Sequence, residues 1–345
     1  MNFVITLLFF LLIINFVANT RTTSNEFDGI LRSSTLLEWG HRYNSTYIYL
    51  DKKNITFIEK GAFQNFNKLD VLMLSNNKIK IYESDMFKGL SQLNNLDLSG
   101  NEIEYLEDNV FSNLNSLEYL TINNNKIKTI NINTFRGLKK LKILGLINNQ
   151  IESIEHGSFN NSKHLEGIWL RANKIKKINT GCFKGLKKLQ VLLLSDNKIE
   201  DIESGSFNDL VNVENAWIDN NELESIEQDL FKNMKKLKLL DISKNRLKKI
   251  QANSFQDLDT LLELILNNNE LNSIDRYGFR NMKSLQKLNL KKNKLDYINL
   301  NSFKECQNLH LLCLNDNLLP SNLTLNLFGS KKIRQDSAEL EWCSY

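Results

Sequence analysis

The sequence has little proline, glycine or cysteine, and each shortage excludes a class of protein. One proline and 14 glycines in 345 residues exclude collagen, proline-rich segments and glycine-rich linkers. Four cysteines are too few for a fold held together by a disulfide framework. The chain also lacks a strong charge of one sign, because 44 Lys and Arg against 40 Asp and Glu leave +4. This balance argues against a polyelectrolyte tail or a basic nucleic-acid binder.

Only one long hydrophobic run is present, and it lies at the N-terminus between Phe3 and Val17. Its length of about 15 residues is typical of a signal peptide and is short of the roughly 20 that cross a bilayer. Small residues at Ala18 and Thr20 suit cleavage before Arg21. We therefore expect residues 1–20 to be a signal peptide and the mature chain to be secreted without a membrane span; an uncleaved anchor is the alternative.

Four Asn-x-Ser/Thr sequons agree with secretion, because this motif is the acceptor for N-glycosylation. They predict a glycoprotein modified at Asn44, Asn54, Asn160 and Asn322.

One period of 24 residues organises the chain from residue 45 to residue 317. The motif L-x-x-L-x-L-x-x-N recurs in one frame, as in Leu93, Leu96, Leu98 and Asn101. Its asparagine returns without insertion or deletion at Asn77, Asn101, Asn125, Asn149, Asn173, Asn197, Asn221, Asn245, Asn269, Asn293 and Asn317. A phenylalanine recurs ten residues after each of the first ten, as at Phe87, and one precedes them at Phe63.

This pattern closely resembles the extracellular, 24-residue form of the leucine-rich repeat. The resemblance implies an α/β repeat solenoid, a curved horseshoe with a parallel β-sheet on its concave face. Short irregular, 3-10 or helical segments would form the convex face. About twelve repeats would occupy residues 45–317, the first degenerate because Lys53 replaces its asparagine. Residues 21–44 would form a cap without a disulfide, and residues 318–345 a short, divergent C-terminal cap.

The recurring asparagine is expected to be buried. The chain turns sharply after each strand and leaves backbone N–H and C=O groups inside, and an amide can satisfy both kinds. The phenylalanines would stack as an aromatic spine on the far side of the core.

The cysteines suggest one bridge at the C-terminus. Cys313 takes an outward strand position and Cys306 a core position, so both Cys313–Cys343 and Cys306–Cys343 pairings stay open. Cys182 is expected to be a buried thiol, with an intermolecular bridge as the alternative. No metal-ligand spacing is present, and no cofactor or metal is expected.

The outward positions of the central strands carry an apolar surface with charged neighbours. Trp169 and Trp217 would lie two strands apart with Leu193 between them, and Gly145 and Gly167 would leave a shallow pocket beside Trp169. Exposed aromatics and an arginine on a rigid surface are typical of a binding hot spot. We call this set the central patch: Tyr119, Ile143, Ile147, Trp169, Arg171, Leu193, Trp217, Asp219 and Leu239. The alternative is that residues 318–345 or a homodimer cover it.

No nucleophile, base and oxyanion site converge in the repeat frame, so we expect no enzyme.

Extracellular proteins of the resembled family include Toll-type receptor ectodomains and chaoptin-like and connectin-like adhesion proteins. The resemblance implies a secreted scaffold that recognises an extracellular protein ligand or receptor through its concave face. A soluble decoy or modulator of innate immune signalling, or a venom-delivered effector, is one form of this function. A non-catalytic subunit or inhibitor of a secreted enzyme, and a cell-adhesion or matrix protein, are the alternatives. Nucleic acid is not an expected partner.

Overall fold

The computed structural model describes residues 27–320 and Cys343. The signal segment and the sequon at Asn322 lie outside the described residues. The main element is one parallel sheet of twelve strands, each hydrogen-bonded to the strand of the next repeat. These strands are β2 (Tyr47–Tyr49), β4 (Val71–Met73), β6 (Asn95–Asp97), β8 (Tyr119–Thr121), β10 (Ile143–Gly145), β12 (Gly167–Trp169), β14 (Val191–Leu193), β16 (Asn215–Trp217), β17 (Leu239–Asp241), β19 (Glu263–Ile265), β21 (Lys287–Asn289) and β22 (Leu311–Cys313).

Shorter strands follow some of the turns and pair in five two-stranded parallel sheets. They are β1 (Ile30–Leu31) with β3 (Phe57–Ile58), β5 (Ile81–Tyr82) with β7 (Tyr105–Leu106), β9 (Thr129–Ile130) with β11 (Ser153–Ile154), β13 (Lys177–Ile178) with β15 (Asp201–Ile202), and β18 (Lys249–Ile250) with β20 (Ser273–Ile274).

Helical structure is scarce in the described part of the chain. One α-helix, α1 (Ser33–Glu38), precedes the first repeat, and one 3-10 helix spans Leu300–Phe303. Most of the backbone opposite the long sheet consists of turns. Among the described residues, no helix is long and apolar enough to cross a membrane.

The register of the long sheet follows the sequence period. Ile143 lies opposite Tyr119 on one side and Gly167 on the other, each 24 residues away. The same step relates neighbouring strands from β2 to β22. The parallel solenoid of about twelve turns that the repeat pattern predicts is therefore confirmed.

Alternation along each three-residue strand decides which side chain is buried. The middle residue of each long-sheet strand is at most 2% exposed, because neighbouring side chains of a strand point to opposite faces. It packs in one continuous hydrophobic core with the other leucines and isoleucines of the repeats. The first and third residues point away from this core. We call the side of the long sheet that carries them the sheet face.

The phenylalanines stack on the opposite side of the core. From Phe87 to Phe303, successive ring centroids lie 5.3 to 6.5 Å apart. Each ring buries apolar area against the ring of the next turn, so the stack couples neighbouring repeats.

The recurring asparagines bond to two turns at once. Asn197 Oδ1 accepts the N–H of Ile175 at 3.1 Å, and its Nδ2 donates to the carbonyls of Leu170 and Leu194 at 2.9 and 3.0 Å. Ile175 and Leu170 belong to the preceding repeat. Asn77 makes equivalent bonds to the first repeat, whose own position holds Lys53. Each asparagine thus satisfies backbone groups that the turns leave inside.

The residue before each recurring asparagine also has a conformation that is the same in every repeat. This residue has a positive φ in every repeat, for example +54° at Asn124, +56° at Ala172 and +51° at Lys244. Asn and Asp tolerate the left-handed conformation better than other residues with a Cβ. The requirement explains why asparagine pairs such as Asn148 and Asn149 recur along the chain.

Candidate functional site

The sheet face brings the central patch together on adjacent strands. Trp169 lies in register with Leu193, and Leu193 with Trp217. Tyr119 on β8 lies in register with Ile143 on β10, both at the first position of their strands, whereas Trp169, Leu193 and Trp217 take the third position of theirs. Strands in a sheet are about 4.8 Å apart, so the two indoles are attached to the sheet roughly 10 Å apart.

The predicted exposure of the tryptophans is wrong for Trp169. Its side chain points away from the core strand residue Ile168, yet it is only 9% exposed. Ile143 is similarly covered at 7%, whereas Trp217, Leu193 and Leu239 are half-buried. Neighbouring side chains on the sheet face cover one another, so the patch is a close-packed surface rather than a set of protruding aromatics.

The expected pocket beside Trp169 is not open at Gly145. A Cβ placed on Gly145 would lie 3.0 Å from Asn123 Oδ1 and 3.1 Å from Thr121 Cγ2. The side chains of the preceding turn therefore occupy the space that the absence of a side chain was expected to leave. A shallow polar cavity of about 250 Å³ lies instead at the entry of strands β12 to β16. It is lined by Glu166, Lys188, Gln190, Asn212, Glu214 and Lys236.

The charged members of the patch have partners other than each other. Arg171 Nε lies 2.6 Å from Asp196 Oδ2, and Asn220 also donates to that carboxylate. Burial alone would raise the pKa of Asp196, but the bonds from Asn220 and Arg171 outweigh it and hold the pKa below its usual value. Asp219 accepts a hydrogen bond from the Ser195 hydroxyl.

Asp241 adds an acid whose charge is unfavourable in the fold. It is half-buried, lies in register with Trp217, and accepts the N–H of Ser243 at 2.9 Å. Burial raises the pKa of Asp241 to about 6, and the charge of Asp219 adds to this rise, while the bonds from Ser243 oppose it. Asp241 therefore loses its proton at a higher pH than an ordinary aspartate does.

The described sheet face is most exposed at its N-terminal end, which the sequence argument did not single out. Tyr47 and Tyr49 on β2 are 54% and 51% exposed. Tyr43 and Phe57 of the same region are also exposed, at 43% and 36%. The positions of Tyr47 and Tyr49 in the repeat place both on the sheet face. They are uncovered because, among the described residues, no strand pairs with β2 on the side away from β4.

The C-terminal end is closed by a disulfide between Cys313 and Cys343, with their Cα atoms 5.8 Å apart. Cys313 and Leu311 of the last strand are buried with Cys343 in a small apolar cluster. Cys306 is free and buried in the main core, so it is not the partner of Cys343.

Cys182 is also a buried free thiol and hydrogen-bonds to the carbonyl of Ile154 at 3.3 Å. Serines take the same position in other repeats, as Ser158 does toward Ile130. Burial raises the pKa of Cys182 and raises that of Cys306 to about 12. Both thiols are therefore inert packing groups, and the intermolecular bridge considered for Cys182 is excluded by its position.

The described residues were also compared with the requirements of a metal site and of N-glycosylation. No group of three or more His, Cys, Asp or Glu side chains in residues 27–320 is arranged to hold a metal ion. The sequons at Asn44, Asn54 and Asn160 have exposed side chains.

Comparison with solved structures finds the same fold in several repeat proteins. One is a complex of TLR13 with ssRNA13 (24% identity, TM-score 0.64, covering 79% of this chain and 47% of that one). Another is the Drosophila Toll–Spatzle complex (21%, 0.64, 83% and 42%). A third is the LRIM1/APL1C complex (21%, 0.70, 84% and 51%). The chain thus spans about half the length of these proteins, and at such identities the likeness shows the fold alone.

Comparison with protein-family profiles identifies the repeat itself. Search of curated proteins gives no significant match. A leucine rich repeat profile matches residues 45–103, 91–151, 139–199 and 163–215, and a BspA type leucine rich repeat profile matches residues 224–335. Because the two profiles together cover nearly the whole solenoid, the chain belongs to the leucine-rich-repeat family.

Proposed function

We propose that this chain is a secreted, non-enzymatic scaffold that binds an extracellular protein through the central patch of its sheet face. The observation that carries the proposal is a continuous twelve-stranded sheet. Within residues 27–320 and Cys343, its sheet face combines accessible apolar groups with charges. Trp217, Leu193 and Leu239 remain half-exposed beside the acids Asp219 and Asp241. A rigid apolar centre within a polar rim is the composition of protein-binding surfaces.

The similar structures support a protein partner more than a nucleic acid. The Toll and LRIM1 structures are complexes with proteins, whereas the TLR13 structure is a complex with RNA. This chain has a net charge of only +4, and acids lie near the centre of its sheet face. An RNA-binding surface would need a basic stripe to neutralise phosphates.

The chain spans less than half of the Toll and TLR13 chains in these structures. Because the similar structures include Toll-type proteins built from the same repeat, we propose a soluble decoy or modulator of such a receptor as the form of this function. Processing after residue 20 and glycans on Asn44, Asn54, Asn160 and Asn322 would accompany secretion. The cap boundaries at residues 44 and 318 remain part of this proposal.

Affinity capture from extracellular fluid would test the proposal. The full chain is the bait, and a variant with Trp217→Glu and Leu239→Glu is compared with it. These two side chains are half-buried and lie on adjacent strands, so two carboxylates should repel an apolar partner surface. A matched control carries Tyr105→Glu and Tyr277→Glu, which lie outside the long sheet and are 51% and 45% exposed.

The proposal expects a receptor or receptor ligand to be recovered by the wild type and the control but not by the sheet-face variant. The thermal midpoints of both variants must stay close to that of the wild type for the comparison to hold. Recovery of a hydrolase would favour the alternative function as an enzyme subunit or inhibitor. Equal capture by the sheet-face variant would remove the central patch as the binding site.

A further inference from the structure

We infer that the open edge of strand β2 is a self-association site, through which two copies of this chain pair head to head in an antiparallel manner. The inference rests on the exposed main chain and side chains of Tyr47 and Tyr49, and it is independent of the central patch.

The main chain of β2 has one bonded edge and one open edge. Thr46 O accepts from Val71 N, and Leu50 N donates to Met73 O, so alternate residues of the strand bond toward β4. In a parallel ladder the intervening residues face the other way. The N–H and C=O groups of Tyr47 and Tyr49 therefore point to the open edge. Within residues 27–320 and Cys343, nothing hydrogen-bonds to these groups on that side.

Strand β1 and helix α1, which precede the first repeat, do not lie beside β2 in the long sheet. Strand β1 pairs with β3 on the opposite limb of the first turn, where Thr56 N and Phe57 N donate to Gly29 O at 2.8 and 3.2 Å. Helix α1 packs its buried Leu36 against the core. Neither element supplies a strand beside β2. An uncovered edge strand of a sheet is a template for pairing with another chain.

The sequence of β2 suits a second copy of itself as the occupant. Tyr47, Ile48 and Tyr49 read the same in both directions, so an antiparallel pair centred on Ile48 places each Tyr47 opposite the Tyr49 of the partner copy. Both tyrosines present edge-facing N–H and C=O groups, which gives four reciprocal hydrogen bonds. Their rings lie on one face and form two cross-strand aromatic pairs, a stabilising combination in antiparallel sheets.

The other end of the sheet does not offer an equivalent edge. On the last strand, β22, Leu311 and Cys313 are 7% and 0% exposed, and Cys313 is bonded to Cys343. Head-to-tail growth would need the first strand of one copy to meet this covered last strand. A head-to-head contact uses the same patch on both copies and therefore closes at two. The contact is small, so we expect a weak, concentration-dependent dimer.

Sedimentation equilibrium of the full chain, after enzymatic removal of N-glycans, tests this site. Removing the glycans matters because the sequons at Asn44 and Asn54 flank β2. The test variant carries Tyr47→Lys and Tyr49→Lys. Lysines placed opposite one another repel, and the exposed positions should tolerate them. The control variant carries Tyr105→Lys and Tyr277→Lys, at similarly exposed positions away from the edge.

The wild type and the control should form dimers, and the dissociation constant of the β2 variant should rise at least about tenfold. Amide exchange at Tyr47 and Tyr49 should slow as the wild-type concentration rises, which a contact made only by side chains would not cause. A wild type that stays monomeric, a β2 variant that dimerises equally well, or unchanged exchange at these two amides would each overturn the inference. Unchanged thermal midpoints would show that the β2 variant is folded.

Discussion

At the scale of single residues, asparagine has two different roles at adjacent positions of the turn. One asparagine is buried and bonds to backbone groups of two repeats, as Asn197 does. The residue before it takes a left-handed backbone conformation that asparagine tolerates, as at Asn124. Replacing the buried asparagine should lower the stability of the fold, whereas placing glycine at the left-handed position should raise it. Both changes can be measured.

Asn197→Ala should lower the free energy of unfolding by about 1–3 kcal/mol, because it leaves the N–H of Ile175 without its acceptor and removes one of the two amide hydrogen bonds to the Leu170 carbonyl. Urea denaturation of the variant would measure the loss. Asn208→Ala serves as a control, since this side chain is exposed, and it should change stability little. Equal effects of the two substitutions would contradict the bridging role of Asn197.

Ala172→Gly should raise the free energy of unfolding by about 1 kcal/mol. Ala172 has φ +56°, where its Cβ is strained and glycine is not. Ala216→Gly should do the reverse, because Ala216 is the buried middle residue of a strand, where glycine weakens the sheet. Thermal melting of both variants measures the sign. Destabilisation by Ala172→Gly would show that the strain is absent.

The 24-residue period predicted the buried asparagines, the phenylalanine stack and the facing of Trp169, because each follows from stacking identical turns. It could not predict how much of Trp169 is covered. That fraction depends on the side chains of neighbouring turns, just as the space beside Gly145 is filled by Thr121 and Asn123 of the turn before it. The position of a residue within the repeat sets the direction of its side chain, whereas packing against neighbouring side chains sets its exposure.

At the scale of the strand, the two tryptophans of the sheet face should respond differently to truncation. Trp169→Ala should lower the free energy of unfolding by about 3 kcal/mol, because an indole that is 9% exposed behaves as a core group. Trp217→Ala should lower it less, because Trp217 is half-buried. Chemical denaturation of both variants provides the comparison. A larger loss from Trp217→Ala would show that the order of burial on this face is wrong.

The acid on strand β17 should make stability depend on pH. Because the folded pKa of Asp241 is raised to about 6 from an ordinary 3.8, its contribution is complete below about pH 4 and is lost as the pH rises through 6. Asp241→Asn should therefore raise the free energy of unfolding at pH 7.5 by on the order of 2 kcal/mol and leave it unchanged at pH 4. Denaturation at both pH values measures the difference. An equal effect of the substitution at both would contradict this reasoning.

At the scale of the whole molecule, stability in a solenoid is local because each turn contacts only its neighbours. The disulfide closes a sequence separation of 30 residues at the last strand. Cys343→Ser should therefore increase amide exchange in β21 and β22 while leaving strands β8 to β14 protected. Hydrogen exchange followed by mass spectrometry would resolve the difference. Uniform loss of protection would mean that the turns unfold as one cooperative unit.

The fold of the whole molecule was largely predictable, and its two ends were not. Each repeat can be compared with the others, and the eleven recurring asparagines at a spacing of 24 residues are enough to predict the solenoid. The ends have no second copy to compare with. The open edge at Tyr47 and the choice between Cys306 and Cys313 as the partner of Cys343 therefore required the structure.

Hydroxyl-radical footprinting of the chain with its captured partner tests the central claim most directly. Binding through the sheet face predicts reduced oxidation of Trp217, Leu193 and Leu239, with Tyr105 and Tyr277 unchanged. Protection of Tyr105 and Tyr277 with full oxidation of Trp217 would contradict the account, because it would place the partner outside the long sheet.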